Sequence, residues 1–218
     1  MRLPSALYPK EKRMNSSASL TARSRTASHM LIACGPSGVG KSTLLTHLLT
    51  ARPTCTLSRS TTTRAPRGNE RNGVEYDFVD VDTFRRRIEA GAFAEYADVF
   101  GNYYGTPHTM IHDAIAEGRD VLFDIDIQGA RNLKAQYPGA WCVAIAPPSF
   151  EILEHRLRSR GTDAPDVIEK RLAKARFELS QEDLFDFVLI NDRLDQACDD
   201  ICRIYDVMRQ RAARVTIL

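Results

Sequence analysis

The chain has 218 residues, 43% of them hydrophobic and 27% charged, a balance that allows one packed domain and excludes bulk disorder. Its net charge of +2 is uneven: residues 1–29 carry six basic residues against Glu11, a net of +5, which leaves −3 on the remainder and argues against a nucleic-acid partner. No apolar run approaches the roughly 20 residues of a membrane-spanning helix, which argues against a membrane partner.

Residues 1–29 are rich in Ser, Thr, Ala and Arg and lack sustained periodicity. They read as a flexible basic tail; the alternatives are an organelle transit peptide or a start placed ahead of Met14 or Met30. Order is expected from Met30. Residues 30–34 form a short apolar run that reads as a buried strand, and 41–50 repeat Leu44, Leu45, Leu48 and Leu49 as a helical stripe. Residues 54–60 suit another strand, and 61–75, with Pro66, Gly68 and Gly73, a loop or set of turns. Then come a strand at 76–79, a helix at 82–90, strands over 93–104 with a turn at Gly101-Asn102, and a helix over 107–118. Buried strands are expected at 121–125 and 141–146, helices at 149–159 and about 165–181, a last strand at 187–190 and a last helix at 194–213.

Apolar strands alternate with helices outside residues 60–105, the pattern of an α/β fold with a parallel sheet core flanked by helices. The interruption has hairpin patterning and reads as a small mixed subdomain inserted over the C-terminal edge of the sheet, where ligands bind in such folds. The five cysteines, Cys34, Cys55, Cys142, Cys198 and Cys202, are odd in number and lie mostly in apolar runs. They read as reduced core thiols of a cytoplasmic protein. His108 and His112 lack the Glu of a metalloprotease pair and read as an exposed helix face.

Gly35-Pro36-Ser37-Gly38-Val39-Gly40-Lys41-Ser42 matches the phosphate-binding P-loop, with a strand before it and a helix after it. Its glycines let backbone N–H groups surround phosphate oxygens at a helix N-terminus. Lys41 can reach the β- and γ-phosphates, and Ser42 can place its hydroxyl on Mg²⁺. No Asn-Lys-x-Asp base-reading motif of a GTPase is present. Asp124 and Asp126 stand where an apolar strand ends; on an extended strand they would share a face, and a carboxylate there can hold Mg²⁺ through water or accept from a substrate.

A second anion site is suggested by the insert. Guanidinium groups grip phosphates bidentately and tyrosine hydroxyls add neutral donors, so Arg64, Arg67, Tyr76 and Tyr104 suit a monophosphate lying away from the P-loop. Guanine presents two adjacent donors that adenine lacks. Glu95 and Asp126 are suitable acceptors for them, with Ser60 and Thr106 as small polar partners.

In order, the segments 35–43, 60–67, 101–106, 124–129, Ala146-Pro147-Pro148-Ser149 and Ile190-Asn191-Asp192 resemble the successive motifs of the guanylate kinase family, a likeness that covers about residues 30–210. The resemblance implies a domain at 30–213, with a core at 30–59, 107–148 and 182–213, a GMP-binding insert at 60–106 and a helical lid at about 149–181. It implies that Gly35, Pro36, Ser37, Gly38, Val39, Gly40, Lys41, Ser42, Thr43 and Asn191 bind ATP. The family's GMP-binding positions match Ser60, Arg64, Arg67, Tyr76, Glu95, Tyr104, Thr106 and Asp126; Thr106 stands where some members have serine and keeps the hydroxyl.

Its lid arginines match Arg156, Arg160 and Arg171, which with Lys41 would stabilise the charge of the transferring phosphoryl group. The metal implied is Mg²⁺, with Ser42 and Asp124 nearest it. The implied reaction passes the γ-phosphoryl of ATP to GMP, and to dGMP, in purine nucleotide metabolism, within a cytoplasmic monomer or small homo-oligomer. A kinase for another small phosphorylated acceptor would not need Glu95, Asp126 and the tyrosine pair together. A non-catalytic scaffold would not need Lys41 and the lid arginines.

Overall fold

The computed structural model of the chain describes residues 29–159 and 164–215. Residues 1–28, 160–163 and 216–218 lie outside the described residues, and with them Arg160 of the expected lid. His29, the last residue of the expected tail, is tied to the body: its backbone amide donates to Asp120 Oδ1 at 2.8 Å.

In chain order the elements are β1 (Met30–Cys34), α1 (Lys41–Ala51), β2 (Cys55–Leu57), β3 (Thr61–Thr62), β4 (Asp77–Phe78) and α2 (Val81–Glu89). Next come β5 (Phe93–Val99), β6 (Asn102–Pro107), α3 (His108–Ala116), β7 (Asp120–Asp124), α4 (Ile127–Gln136) and β8 (Trp141–Ala146). The chain closes with α5 (Phe150–Arg158), α6 (Pro165–Leu179), a 3₁₀ turn, β9 (Phe187–Ile190) and α7 (Leu194–Val215).

Five strands form a parallel sheet in the order β2-β7-β1-β8-β9. β1 is central and buried along its length, so it reads as continuous apolar sequence. Its side chains still alternate between two cores. Leu31 and Ala33 join Leu44, Leu48, Leu153, Ile201 and Tyr205 on one face, while Ile32 and Cys34 join Ile111, Phe123, Ala130 and Leu133 on the other. All five cysteines are free, and Cys34 and Cys142 lie within the second core.

The insert forms a second sheet, β4-β3-β6-β5, in which only the β3–β4 pairing is parallel. Phe84 of α2 is fully buried beneath it, stacked on Phe93 and Tyr103 at centroid distances of 4.5 and 5.4 Å. The β5–β6 hairpin turns at Phe100-Gly101, one residue before the expected turn, with φ of +54° and +79°. Two positive φ values suit the tight twist of such a hairpin.

Three expectations need correction. The strand over 54–60 breaks after Leu57: Ser58 N still donates to Leu122 O, and the chain then leaves the first sheet to start β3 in the second, inside the expected 61–75 loop. Helix α4 was not anticipated, because its polar outer face hides the buried spacing Ile127, Ala130 and Leu133. And β7 ends at Asp124, so Asp126 does not share an extended strand with it. Asp126 is the N-cap of α4, its Oδ1 accepting from Gly129 N at 3.0 Å.

Candidate active site

The donor half is built where β1 runs into α1. Gly35 has φ of +135°, and a Cβ there would lie 2.3 Å from the Ile145 carbonyl oxygen; at Gly40, φ is +94° and a Cβ would meet Asn191 Nδ2 at 2.5 Å. Both positions therefore require glycine for conformation and for close approach. Asn191, buried, donates from Nδ2 to Val39 O at 2.7 Å and so props the loop from behind. Arg156 of α5 donates to Asn191 O at 3.0 Å, which links the expected lid to that same prop.

Lys41 reaches back over the loop, donating to Gly35 O at 2.8 Å and Pro36 O at 3.4 Å, with Asp124 Oδ1 at 3.8 Å. Ser42 Oγ donates to Asp124 Oδ2 at 2.7 Å, which brings the end of β7 against the start of α1. Arg171 of α6 donates to Ser37 Oγ at 2.9 Å, so one expected lid arginine touches the loop directly.

The acceptor half faces this loop across a shared cavity of about 480 Å³. Its floor holds Glu95 on β5, only 5% exposed. Glu95 Oε1 accepts from Thr106 Oγ1 at 2.6 Å, and a Cβ on Gly129 would lie 2.5 Å from Oε2, so α4 closes over the carboxyl group. Burial pushes the Glu95 carboxyl up to about 7, the charge of Asp126 adds to the rise, and the Thr106 hydroxyl opposes it.

On the wall, buried Arg64 donates from Nε to Tyr104 Oη at 3.2 Å, and its guanidinium carbon lies 5.2 Å from the Tyr76 ring centroid. Burial pushes the Tyr76 hydroxyl up, so it stays a neutral donor. Ser60 and Arg67 line the same cavity.

Three charged residues with no assigned role in the sequence reading also line this space. Glu70 takes both terminal nitrogens of Arg64, at 2.9 and 3.0 Å, and accepts from Arg67 N at 2.7 Å. The Arg64 hydrogen bond, above all, holds its carboxyl below the usual range. Lys174 and Glu178 stand three and seven residues beyond Arg171 on α6, the spacing of one helical face, and that stripe was legible in principle. The core stripe Ile168, Leu172, Ala175 and Leu179 runs beside it.

Of the residues expected from sequence, Gly35, Ser37, Gly38, Gly40, Lys41, Ser42, Thr43, Ser60, Arg64, Arg67, Tyr76, Glu95, Tyr104, Asp124, Asp126 and Arg171 line this one cavity. Thr106 reaches it through Glu95, and Asn191 and Arg156 act behind the loop. Pro36 and Val39 contribute backbone carbonyls to Lys41 and Asn191. Among the described residues no cluster of three or more His, Cys, Asp or Glu is arranged to hold a metal by itself, and no helix is long and apolar enough to cross a membrane.

The comparisons agree with this geometry. Residues 27–207 match the guanylate kinase family profile. The chain is 50% identical over 176 residues to a guanylate kinase of Nitratidesulfovibrio vulgaris, covering 81% of this chain and 85% of that protein. It is 45% identical over 186 residues to one of Neisseria gonorrhoeae, covering 85% and 91%. Among solved structures it resembles guanylate kinase from Anaplasma phagocytophilum, with a TM-score of 0.68 and 32% identity over 85% of this chain and 88% of that one. A P-loop facing a carboxylate-floored acceptor pocket, in a chain this similar to these enzymes, places the protein in the guanylate kinase family.

Proposed function

We propose that the protein transfers the γ-phosphoryl group of ATP to GMP, giving ADP and GDP, by direct in-line displacement. The observation that carries this reading is the shared cavity, with the P-loop on one side and a buried carboxylate, Glu95, on the floor of the other. Guanine N1–H and its 2-amino group are donors that Glu95 and Asp126 can accept, and Arg64, Arg67, Tyr76 and Tyr104 suit the acceptor phosphate. dGMP fits the same reading, since the residues proposed for GMP address base and phosphate and none is assigned to the ribose 2′-hydroxyl.

The acceptor oxygen is already anionic, so the reaction needs no strong general base; positioning and electrostatics supply the catalysis. Lys41 would leave its own loop carbonyls for the β/γ-phosphates, and Arg156, Arg160 and Arg171 would add positive charge around the transferring group. With this reading goes a division of the chain into an acceptor insert at 60–106 and a lid at about 149–181. Ser42 and Asp124 supply hard oxygen ligands 2.7 Å apart, the donor chemistry Mg²⁺ takes when substrate phosphates complete its shell. When bound, Mg²⁺ would neutralise phosphate charge. The −3 net charge beyond residue 29 disfavours a nucleic-acid partner and the free thiols favour a cytoplasmic setting; with these goes the proposal of a monomer or small homo-oligomer that recycles GMP in purine nucleotide metabolism.

A coupled assay with ATP and Mg²⁺ against GMP, dGMP, AMP and ribose phosphates tests the reading. GMP should be turned over fastest, AMP poorly and the sugar phosphates not at all. A folded protein that leaves GMP untouched, or prefers a sugar phosphate, overturns it.

A further inference from the structure

We propose that Lys174 is a positioning residue of the acceptor site, which holds the Asp126 carboxylate in place and ties helix α6 to the acceptor half of the cavity. This rests on the reading of the site as a GMP pocket. Asp126 has one oxygen fixed by its own helix, through Gly129 N. The other accepts from Lys174 Nζ at 3.0 Å. Together these bonds set the carboxylate plane and leave its remaining lone pairs for a ligand in the cavity.

Three carboxylates, Glu95, Asp126 and Glu178, line this part of the site, and Glu95 and Glu178 are 5% and 4% exposed. Lys174 lies within ion-pair distance of two of them, at 3.0 Å from Asp126 and 3.6 Å from Glu178. Removing that one ammonium would take from Asp126 and Glu178 the cation they share.

The same side chain meets the insert from above. Its ammonium lies 5.2 Å from the ring centroid of Phe100, at the tip of the β5–β6 hairpin. Phe100 is half exposed and holds φ of +54°, a conformation that side chains larger than glycine rarely adopt. Arg171, three residues earlier on α6, also stacks on that ring, at 5.9 Å, while it reaches Ser37 of the P-loop. One helix face therefore spans both substrate halves: Arg171 on the donor loop and Lys174 on the acceptor carboxylate.

The test uses the full chain with Lys174→Met, which keeps length and removes charge, and Lys174→Arg, which keeps charge. GMP and ATP are varied independently, and GMP affinity is measured calorimetrically without the donor. Lys174→Met should raise the KM and Kd for GMP roughly five- to tenfold, the scale of one weakened charge-assisted contact, with the KM for ATP within about twofold. Lys174→Arg should restore most of the loss. Against an Asp126→Asn background, Lys174→Met should cost little more, because the two act as a unit.

An unchanged KM for GMP, an equal rise for both nucleotides, additive losses in the double variant or no rescue by arginine would each overturn the proposal. If the unaltered protein fails to phosphorylate GMP, the reading of the reaction falls first and this inference with it. If it phosphorylates GMP and Lys174→Met behaves the same, only this inference fails.

Discussion

The donor and acceptor halves of one cavity are built in opposite ways. The donor cradle comes from a single stretch between β1 and α1, and its chemistry is largely backbone: glycine-enabled turns, a helix N-terminus and one lysine. The acceptor pocket draws on the segments either side of β3, on β5, β6, the α4 cap and α6, and its chemistry is almost wholly side chain. A backbone cradle grips any polyphosphate, whereas a side-chain pocket with a buried carboxylate can tell one base from another. On the proposed reading the two halves divide the labour between transfer and selection.

That division gives perturbations that should separate the halves. Lys41→Ala removes the only cradle side chain proposed for the β/γ-phosphates. Turnover should fall by about 10²–10³-fold or more while circular dichroism and GMP binding stay near normal. A folded variant with near-normal kcat would break the comparison at its donor end.

Glu95→Gln keeps size and puts an NH₂ where an acceptor is needed. The kcat/KM for GMP should drop by roughly 10²-fold, on the scale of an unpaired buried polar group, and that for AMP much less. An unaltered GMP/AMP ratio would mean that base choice lies elsewhere. The same residue predicts a pH effect. Its folded carboxyl, raised to about 7, holds a proton that the unfolded chain releases near 4.5. Its contribution to stability is therefore fully present below about 4.5, declines through the interval and is lost above about 7. GMP affinity should move oppositely, rising with pH through about 7 as the carboxylate forms. A titration of GMP binding from pH 5.5 to 8.5 should show that limb in the parent protein and lack it in Glu95→Gln.

Arg64→Ala should raise the KM for GMP about ten- to a hundredfold, the loss of about 1.5–3 kcal/mol from a charge-assisted phosphate contact. Glu70→Gln should act in the same direction but by only severalfold, because Tyr104 and the Ala65 carbonyl still hold the guanidinium. Substrate titrations in which either variant raised only the KM for ATP would show the halves to be exchanged. The smallest effect is expected from deleting residues 1–28, whose sequence has no periodic apolar face to bury: activity and Tm should change little. A soluble truncation that loses much of either would show that these residues support the body.

The contrast also explains which residues were legible. The P-loop is one contiguous motif whose glycines answer local backbone demands, so its position and context could be read directly. The acceptor residues are scattered from Ser60 to Asp126, and each alone resembles loop polarity; their combined chemistry, and then the family resemblance, gave them weight. Glu70 was visible in the same loop, but its role depends on the fork it makes with Arg64. Lys174 and Glu178 lay in a helix read for its periodicity and for Arg171 alone, although their spacing from Arg171 marks one face.

By itself the sequence determined the alternation of apolar strands and helices, the cradle, and the inserted acceptor segment, because these follow from periodicity and local conformational demands. Tertiary structure alone decided that Asp126, a local cap of α4, would meet Lys174, and that Asn191 would lie behind the P-loop. It also decided that α6 would touch both halves of the cavity. Those outcomes depend on where the chain leaves one sheet for the other and on which side chains then meet, and no local periodicity encodes a meeting between residues 48 or 152 positions apart.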